Sequence, residues 1–337
     1  MENPAESTAT ESTTMHLDNT KRHSFTECRR KFYFQYVMNY KTFYGSNALR
    51  YGLVWHEGMD AYYNHIKLNG WTKDGGALQA AFDAMKKEWD ICSAKENFYS
   101  DYRTLENCFQ SFLQYVQHFS QDEMMLTVVA TEEPFKVHME VASDEELKLF
   151  PYLKPFHFTG KLDMEIELNG RLWINEHKTT GQPLDTQVNR LNRSAQVMGY
   201  NYAKDRKLLV NNDERRIDGV LMTVHHLSCR KSTAKGNEGN YGTPKIDFRR
   251  VPQIFSENDI AQWRLSFMAV AQDVQMEMER NLWPMQHDAC FNYGACPFLS
   301  ICEQNSDINN IHLDEQRYYV AEPWEVAKSV LADGVIN

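Results

Sequence analysis

The chain has 337 residues, of which 42% are hydrophobic and 12% aromatic, so it can bury one large core or two smaller ones. No apolar run reaches the roughly 18 residues that a membrane-spanning helix needs. Residues 1–20 and 303–337 together carry −9 of the net charge of −10, and the nearly neutral middle with its basic clusters does not exclude binding to nucleic acid.

The chain begins and ends with polar, acidic segments, and we expect residues 1–20 to be a disordered tail and 306–337 an acidic C-terminal tail. Apolar periodicity predicts helices at about 24–40, 48–68, 76–94, 101–121 and 256–280. Alternating patterns predict strands at about 126–139, 158–168, 171–179 and 218–227, with a further helix between the last two. This order indicates an α/β fold with a mixed-sheet core and a helical N-terminal elaboration.

Residues 160–180, GKLDMEIELNGRLWINEHKTT, have the pattern of a β-hairpin. Asn169 and Gly170 tolerate the positive φ angles of a two-residue turn, which is the strongest short-range hairpin signal. In the regular register of such a hairpin, Asp163 lies directly opposite Glu176. Facing side chains in a sheet have Cβ atoms about 4.5–5.5 Å apart, and like charges there destabilise the sheet.

Two interpretations of the facing acids are open. A divalent cation with oxygen ligands at about 2.0–2.6 Å fits between the carboxylates, and Lys178, on the same face as Glu176, adds positive charge. Alternatively, the hairpin has an exposed polar face on which Glu165 and Glu167 continue the row that Asp163 begins. The hairpin geometry alone does not decide between them.

Seven cysteines are present, and an odd number argues against a secreted disulfide framework. Cys290, Cys296 and Cys302 fall within thirteen residues in CFNYGACPFLSIC, which indicates metal or cluster ligation and requires a fourth ligand. Cys28 is the best fourth ligand. It lies just inside a predicted helix start, since SFTE has the pattern of a capping box with Ser24 as N-cap and Glu27 at the third position. Buried free thiols and a structural zinc site are the alternatives.

Two further motifs contain polar residues on predicted helices. His56 lies in YGLVWHEGMDAYY, and Gln196 and Tyr200 lie one turn apart on one helix face in QVMGY. The chain has no Walker A pattern, no Gly-x-Ser-x-Gly elbow and no Rossmann glycine fingerprint. We therefore expect no nucleotide cofactor and no motor activity.

In this order the pieces resemble the PD-(D/E)xK nuclease motif of RecB-family exonucleases, which include AddB-type and CRISPR-adaptation nucleases. GKLD, twelve residues and then EHK match the central motif, and the resemblance covers residues 21–305. It implies a single nuclease domain at 21–305 with a restriction-endonuclease-like core. The helical part would span about 48–122, the catalytic core about 126–280 and the cysteine loop 290–302.

The resemblance also implies ligands and roles. His56, Asp163, Glu176 and the backbone carbonyl of His177 would bind Mg²⁺ or Mn²⁺, and Lys178 would orient or activate the attacking water. Gln196 and Tyr200 would position the DNA strand or the ligands, and Glu132 matches a further strand acid of the family. Cys28, Cys290, Cys296 and Cys302 would hold a 4Fe-4S cluster that joins the N- and C-terminal parts. The five residues between Cys290 and Cys296 depart from the family's commoner spacing of two.

The expected function is a metal-dependent DNA nuclease, an exonuclease of RecB type in recombination, repair or phage DNA processing. DNA is the expected partner, together with a separate helicase or recombination protein, and no membrane is involved. We expect a cytoplasmic protein encoded by a bacterium or phage. The alternatives are a catalytically inactive DNA-binding scaffold of the same fold and a metal-dependent hydrolase of another substrate.

Overall fold

A computed structural model describes residues 14–71, 74–233, 240–292, 294–304 and 313–322. The helices are α1 Asn19–Glu27, α2 Arg29–Phe32, α3 Asn47–Asn69, α4 Gly76–Lys95, α5 Leu105–His118, α6 Ser120–Glu123, α7 Asp144–Leu149, α8 Leu184–Leu191, α9 Ala195–Val210, α10 Glu257–Arg280 and α11 Leu299–Gln304. The strands are β1 His16–Leu17, β2 Tyr40–Thr42, β3 Leu126–Met139, β4 Phe156–Leu168, β5 Arg171–Thr180, β6 Ile217–Ser228, β7 Lys245–Gln253 and β8 Tyr318–Val320. None of the helices in these ranges combines the length and apolarity needed to span a lipid bilayer.

Six strands form one mixed sheet, which agrees with the expected mixed α/β core. The pairs β3–β4, β4–β5 and β6–β7 are antiparallel, whereas β1–β4 and β5–β6 are parallel. Strand β3 pairs with β4 from Phe156 to Leu168, so β1 and β5 must share the other edge of β4. On that edge β1 reaches Phe158 and β5 begins at Met164, and the residues between have no strand partner in the described structure.

Helices cover both faces of this sheet. One large core cluster contains residues of α8, α9 and α10, and the other contains residues of α3, α4 and α5. Alternate residues of β6 belong to different clusters, with Val220 and Met222 in the first and Leu221 in the second. The period-two alternation of a strand therefore serves two cores at once.

The predicted hairpin is present. Asn169 and Gly170 have φ angles of 54° and 73°, and β4 and β5 pair with the expected register from Leu168↔Arg171 to Met164↔Asn175. Of the two acids that the sequence could place on an exposed face, Glu167 is exposed but Glu165 is buried. Lys204 of α9 forms an ion pair with Glu165, and its ammonium lies 3.3 Å from Glu133 of β3.

The chain ends depart from expectation where they are described. His16–Leu17 pairs with β4 and α1 begins at Asn19, so the end of the segment expected to be disordered is regular structure. Asp18 caps α1 by accepting from Lys21 N, and the capping box predicted at Ser24 is wrong because Ser24 lies inside α1. In the expected C-terminal tail, β8 pairs with β2. Residues 1–13, 305–312 and 323–337 lie outside the described residues.

One strand glycine is required by close packing. A Cβ on Gly219 would lie 2.3 Å from the backbone oxygen of Gln253 on β7. We expect Gly219→Ala to lower the free energy of unfolding by about 1–3 kcal/mol, because two hydrogen-bonded strands must move apart. Urea unfolding measures this. Gly242→Ala is the control, since a Cβ there meets no atom within 4 Å, and an equal loss in both variants would contradict the packing argument.

Candidate metal centre

Asp163 lies where β4 and β5 separate. The predicted pair Asp163↔Glu176 is not formed, because the ladder ends one step earlier at Met164↔Asn175. The backbone N–H of His177 instead donates to Oδ2 of Asp163 at 2.8 Å. The Asp163 side chain therefore accepts the hydrogen bond that a backbone carbonyl of β4 would accept in a continued ladder.

Glu176 lies beside this point with 0% of its side chain exposed. The Lys178 ammonium contacts its Oε1 at 2.5 Å, whereas its Oε2 is buried and has no hydrogen-bond partner among the described residues. Burial and the neighbouring Asp163 raise the pKa of Glu176 to about 7. Burial likewise raises the pKa of Asp163, against the opposing effects of Lys178 and the His177 N–H. The two acids are thus electrostatic neighbours although they are not a ladder pair.

Lys178 supplies the positive charge expected from its spacing. Burial disfavours its ammonium form, but Glu176 and Asp163 outweigh this effect and its pKa is raised. Lys178 therefore stays protonated at neutral pH.

His56 reaches the same point from α3. Ser46 caps this helix by accepting from Leu49 N, and His56 follows about three turns later with Nδ1 3.4 Å from Oδ2 of Asp163. Burial and the charge of Lys178 lower the pKa of His56 to about 4. The imidazole is therefore neutral at physiological pH, the form that binds metals.

Glu132 is the third residue of a group of candidate metal ligands with His56 and Asp163, and the sequence indicated it only weakly. Ligand atoms of His56, Glu132 and Asp163 all lie within 4.8 Å of one another, as a metal ion would require. Glu132 has a φ of 49° within β3, a conformation that non-glycine residues rarely adopt. It forms an ion pair with Lys161, and burial raises its pKa to about 7. The only sequence signal for Glu132 was its match to a family strand acid.

The remaining predicted residues lie around this group. The side chain of His177 is buried and stacks on Tyr63 at 6.0 Å, so only its backbone can serve the site. On α9, Gln196 Nε2 donates to the Tyr200 hydroxyl at 2.7 Å. Burial and the charges of Glu176 and Asp163 raise the pKa of Tyr200, which places its phenol near both acids.

The residues fit a divalent cation. Three ligand atoms converge, Oε2 of Glu176 lacks a partner within the described ranges, and the histidine is neutral. Carboxylate oxygens with one imidazole suit Mg²⁺ or Mn²⁺. A cation would also relieve the repulsion by Asp163 that, after burial, contributes to the raised pKa values of Glu176 and Glu132.

The four predicted cysteines lie in one region of the structure, but among the described residues no three of their sulfurs lie within 4.8 Å of one another. Cys28 lies between α1 and α2, and its Sγ accepts from the N–H of Gln286 at 3.5 Å. Burial raises the pKa of Cys302 to about 12 and also raises that of Cys296, and charge on Cys28 and Cys290 contributes to both increases. The four thiols therefore influence one another electrostatically without the close spacing of an assembled ligand set, while Cys92, Cys108 and Cys229 lie elsewhere.

We expect Mn²⁺ to raise the apparent melting temperature of the wild-type protein. A ligand that binds only the folded state at 100 times its Kd stabilises by about 2.7 kcal/mol. Asp163→Asn and His56→Ala should lose most of this shift, and Lys178→Ala should keep it because the lysine is no ligand. Glu167→Gln is the control, since this acid is exposed on the same strand. An undiminished shift in Asp163→Asn would contradict the assignment.

Known proteins provide an independent comparison. A model of the PD-(D/E)XK nuclease superfamily matches residues 19–303 of the chain. No curated protein matches it significantly. Among solved structures, an assumed exonuclease from Eubacterium rectale is 12% identical, with 99% of this chain and 100% of that chain covered and a TM-score of 0.40. The protein SSO0001 is 10% identical, with 65% and 74% covered and a TM-score of 0.27.

Proposed function

The chain belongs to the PD-(D/E)XK nuclease superfamily, and from this premise we propose that it is a metal-dependent deoxyribonuclease, an exonuclease of RecB type. The observation that carries the proposal is the point at which β4 and β5 separate and half-buried Asp163 and buried Glu176 meet Lys178 and His56. Buried acids with raised pKa values beside a cation are typical of functional sites.

The metal ligands in this proposal are His56, Asp163 and Glu132, with Glu176 and the carbonyl of His177 completing the set. A bound Mg²⁺ or Mn²⁺ would polarise the scissile phosphate and lower the pKa of a water molecule. Superfamily members use such divalent ions, and the three convergent ligand atoms support a site for one here.

The protein's own residues have separate tasks. Lys178 keeps a positive charge beside Glu176, where it can offset charge that develops on the phosphoryl oxygens. The hydrogen bond between Gln196 and Tyr200 fixes the orientation of the phenol next to the acids. His56, being neutral, binds without adding charge repulsion.

The proposed process is DNA recombination, repair or phage DNA processing, with a separate helicase or recombination protein as partner. The proposal includes a 4Fe-4S cluster on Cys28, Cys290, Cys296 and Cys302. Thiolates are the donors that such a cluster takes, and Arg30 and Lys31 supply positive charge near Cys302 and Cys296. Cluster binding would have to draw the sulfurs closer together than they lie in the described structure.

End-labelled single- and double-stranded DNA should be cleaved in Mg²⁺ or Mn²⁺ and left intact in EDTA. Lys178→Ala should reduce the rate at least about 100-fold, as the loss of one charge-stabilising donor typically does. Glu176→Ala should also be inactive, and Lys154→Ala, which removes an exposed lysine paired with Glu279, should be fully active. Products that shorten from one end identify an exonuclease and its polarity.

Two results would contradict this function. A folded, metal-binding wild type that cleaves no DNA substrate would indicate a scaffold. Full activity of Lys178→Ala would show that the chemistry occurs elsewhere.

For the cluster, we expect anaerobically purified protein to be brown and to contain about four iron atoms and acid-labile sulfide per chain. Cys28→Ser and Cys302→Ser should lose both colour and iron, whereas Cys92→Ser should keep them because Cys92 lies on α4, away from the set. One zinc per chain without iron would instead assign structural zinc.

A further inference from the structure

Two tyrosines form an exposed stack near the start of α3. The rings of Tyr44 and Tyr99 lie 5.8 Å apart with planes inclined by 10°, and the residues are 53% and 73% exposed. Nδ2 of Asn47, the first residue of α3, donates to the carbonyl of Tyr99 at 2.6 Å, which fixes the loop to the helix. Stacked aromatic rings that face water are surfaces on which a further flat ring can stack.

A second tyrosine pair follows three residues along the chain. Tyr102 and Tyr241 pack edge to face at 5.4 Å, with Lys231 Nζ 5.3 Å from the centre of the Tyr241 ring. The Arg103 guanidinium lies 4.5 Å from the centre of the Tyr102 ring, but Asp101 pairs with it at 2.7 Å and offsets its charge. Lys231 is exposed and has no acidic partner in the described part of the chain, so it provides net positive charge.

These residues adjoin the end of the strand that carries Glu176 and Lys178. A Cβ on Gly181 would lie 3.2 Å from an Arg103 guanidinium nitrogen and 3.6 Å from the Tyr102 hydroxyl. Gly181 is three residues beyond Lys178, so the chain spans at most about 10 Å between them. The first half of α3 borders the same strand, because a Cβ on Gly52 would lie 3.3 Å from Thr179 Oγ1. The tyrosines therefore lie on the surface next to the candidate metal centre, beyond the end of β5.

We propose that this aromatic surface, formed by Tyr44, Tyr99, Tyr102 and Tyr241 with Arg103 and Lys231, binds a single strand of DNA beside the scissile phosphate. Nucleobases stack on the exposed rings of Tyr44 and Tyr99 and on the accessible parts of the half-buried Tyr102 and Tyr241 rings, and Lys231 contacts phosphate. Single-strand binding sites combine aromatic platforms with positive charge in this way. In a duplex the base faces are covered by neighbouring bases, so the rings favour the single strand. The inference rests on the proposed function and deepens it.

Binding without catalysis tests the surface directly. In EDTA, fluorescence anisotropy with a labelled 20-nucleotide strand and its duplex should show tighter binding of the single strand by wild type. Tyr99→Ala and Tyr241→Ala should weaken single-strand binding about 5-fold to 150-fold, the range for loss of one base–aromatic stack, with little effect on the duplex. Tyr99→Phe and Tyr241→Phe should bind as wild type does, because stacking needs the ring and not the hydroxyl.

The charge and the controls are measured in the same assay. Lys231→Ala should reduce the slope of log affinity against log salt by about 0.7, the contribution of one phosphate contact on a single strand. Tyr152→Ala removes an exposed tyrosine that is 67% accessible and lies against α10, and it should bind as wild type does. Three results would each contradict the proposal that this surface binds single-stranded DNA. They are an unchanged single-strand affinity in both Tyr→Ala variants, an equal loss of affinity for the single strand and the duplex, and tighter binding of the duplex by wild type.

Cleavage by the same preparations separates this inference from the nuclease itself. If wild type cleaves DNA while Tyr99→Ala and Tyr241→Ala bind the single strand normally, the proposed binding surface is wrong and the proposed nuclease activity stands. A wild type that binds the single strand through these tyrosines but never cleaves it supports the surface and refutes the nuclease. Tighter binding of an RNA strand of the same sequence would overturn the assignment to DNA.

Discussion

The site depends on one backbone constraint, the incomplete pairing of one edge of β4. Strand β3 pairs along the other edge from Phe156 to Leu168, with a register shift between Val128 and Ala130 and no ladder partner for Asp163 in the described structure. Strands β1 and β5 leave a gap between Phe158 and Met164. Beyond Asn175, β5 leaves β4 but continues its pairing with β6. The His177 N–H, which a continued ladder would have used, is free to bind the Asp163 carboxylate. The strand divergence therefore creates both the opening and the first fixed ligand.

That geometry has an electrostatic cost that the surrounding residues only partly offset. Two buried carboxylates in a medium of low dielectric repel each other, and a buried polar atom without a partner costs about 1–3 kcal/mol. Lys178 satisfies one oxygen of Glu176 and leaves the other without a partner in the described structure. Glu132 adds a strained backbone at the same place. Local arrangements that oppose folding in this way are concentrated at functional sites.

The hairpin could be predicted because its turn depends on two adjacent residues. Features that depend on contacts between residues far apart in the chain could not be predicted from the sequence. Asn169 and Gly170 determine the turn and hence the register, so the neighbourhood of Asp163 and Glu176 followed from spacing. The residue at which the β4–β5 ladder ends did not follow from spacing, because it depends on where β1 pairs with β4 and β6 pairs with β5. The burial of Glu165 was equally hidden, since its partner Lys204 lies 39 residues away on another helix. Strand β7 was missed because its charged sequence, KIDFRRVPQ, lacks a clear apolar alternation.

The cysteine region lies where the N- and C-terminal parts of the chain meet, apart from the metal centre. Cys28 breaks the predicted helix with an extended backbone, φ −159° and ψ 116°, and so turns its sulfur toward Gln286. Counting the described residues alone, the two apolar clusters that join the chain ends contain five and four buried residues. Such small cores stabilise weakly on their own. Because α1 packs against α9 and α10, this junction supports the helix that carries Gln196 and Tyr200 without supplying any side chain of the His56, Glu132 and Asp163 group.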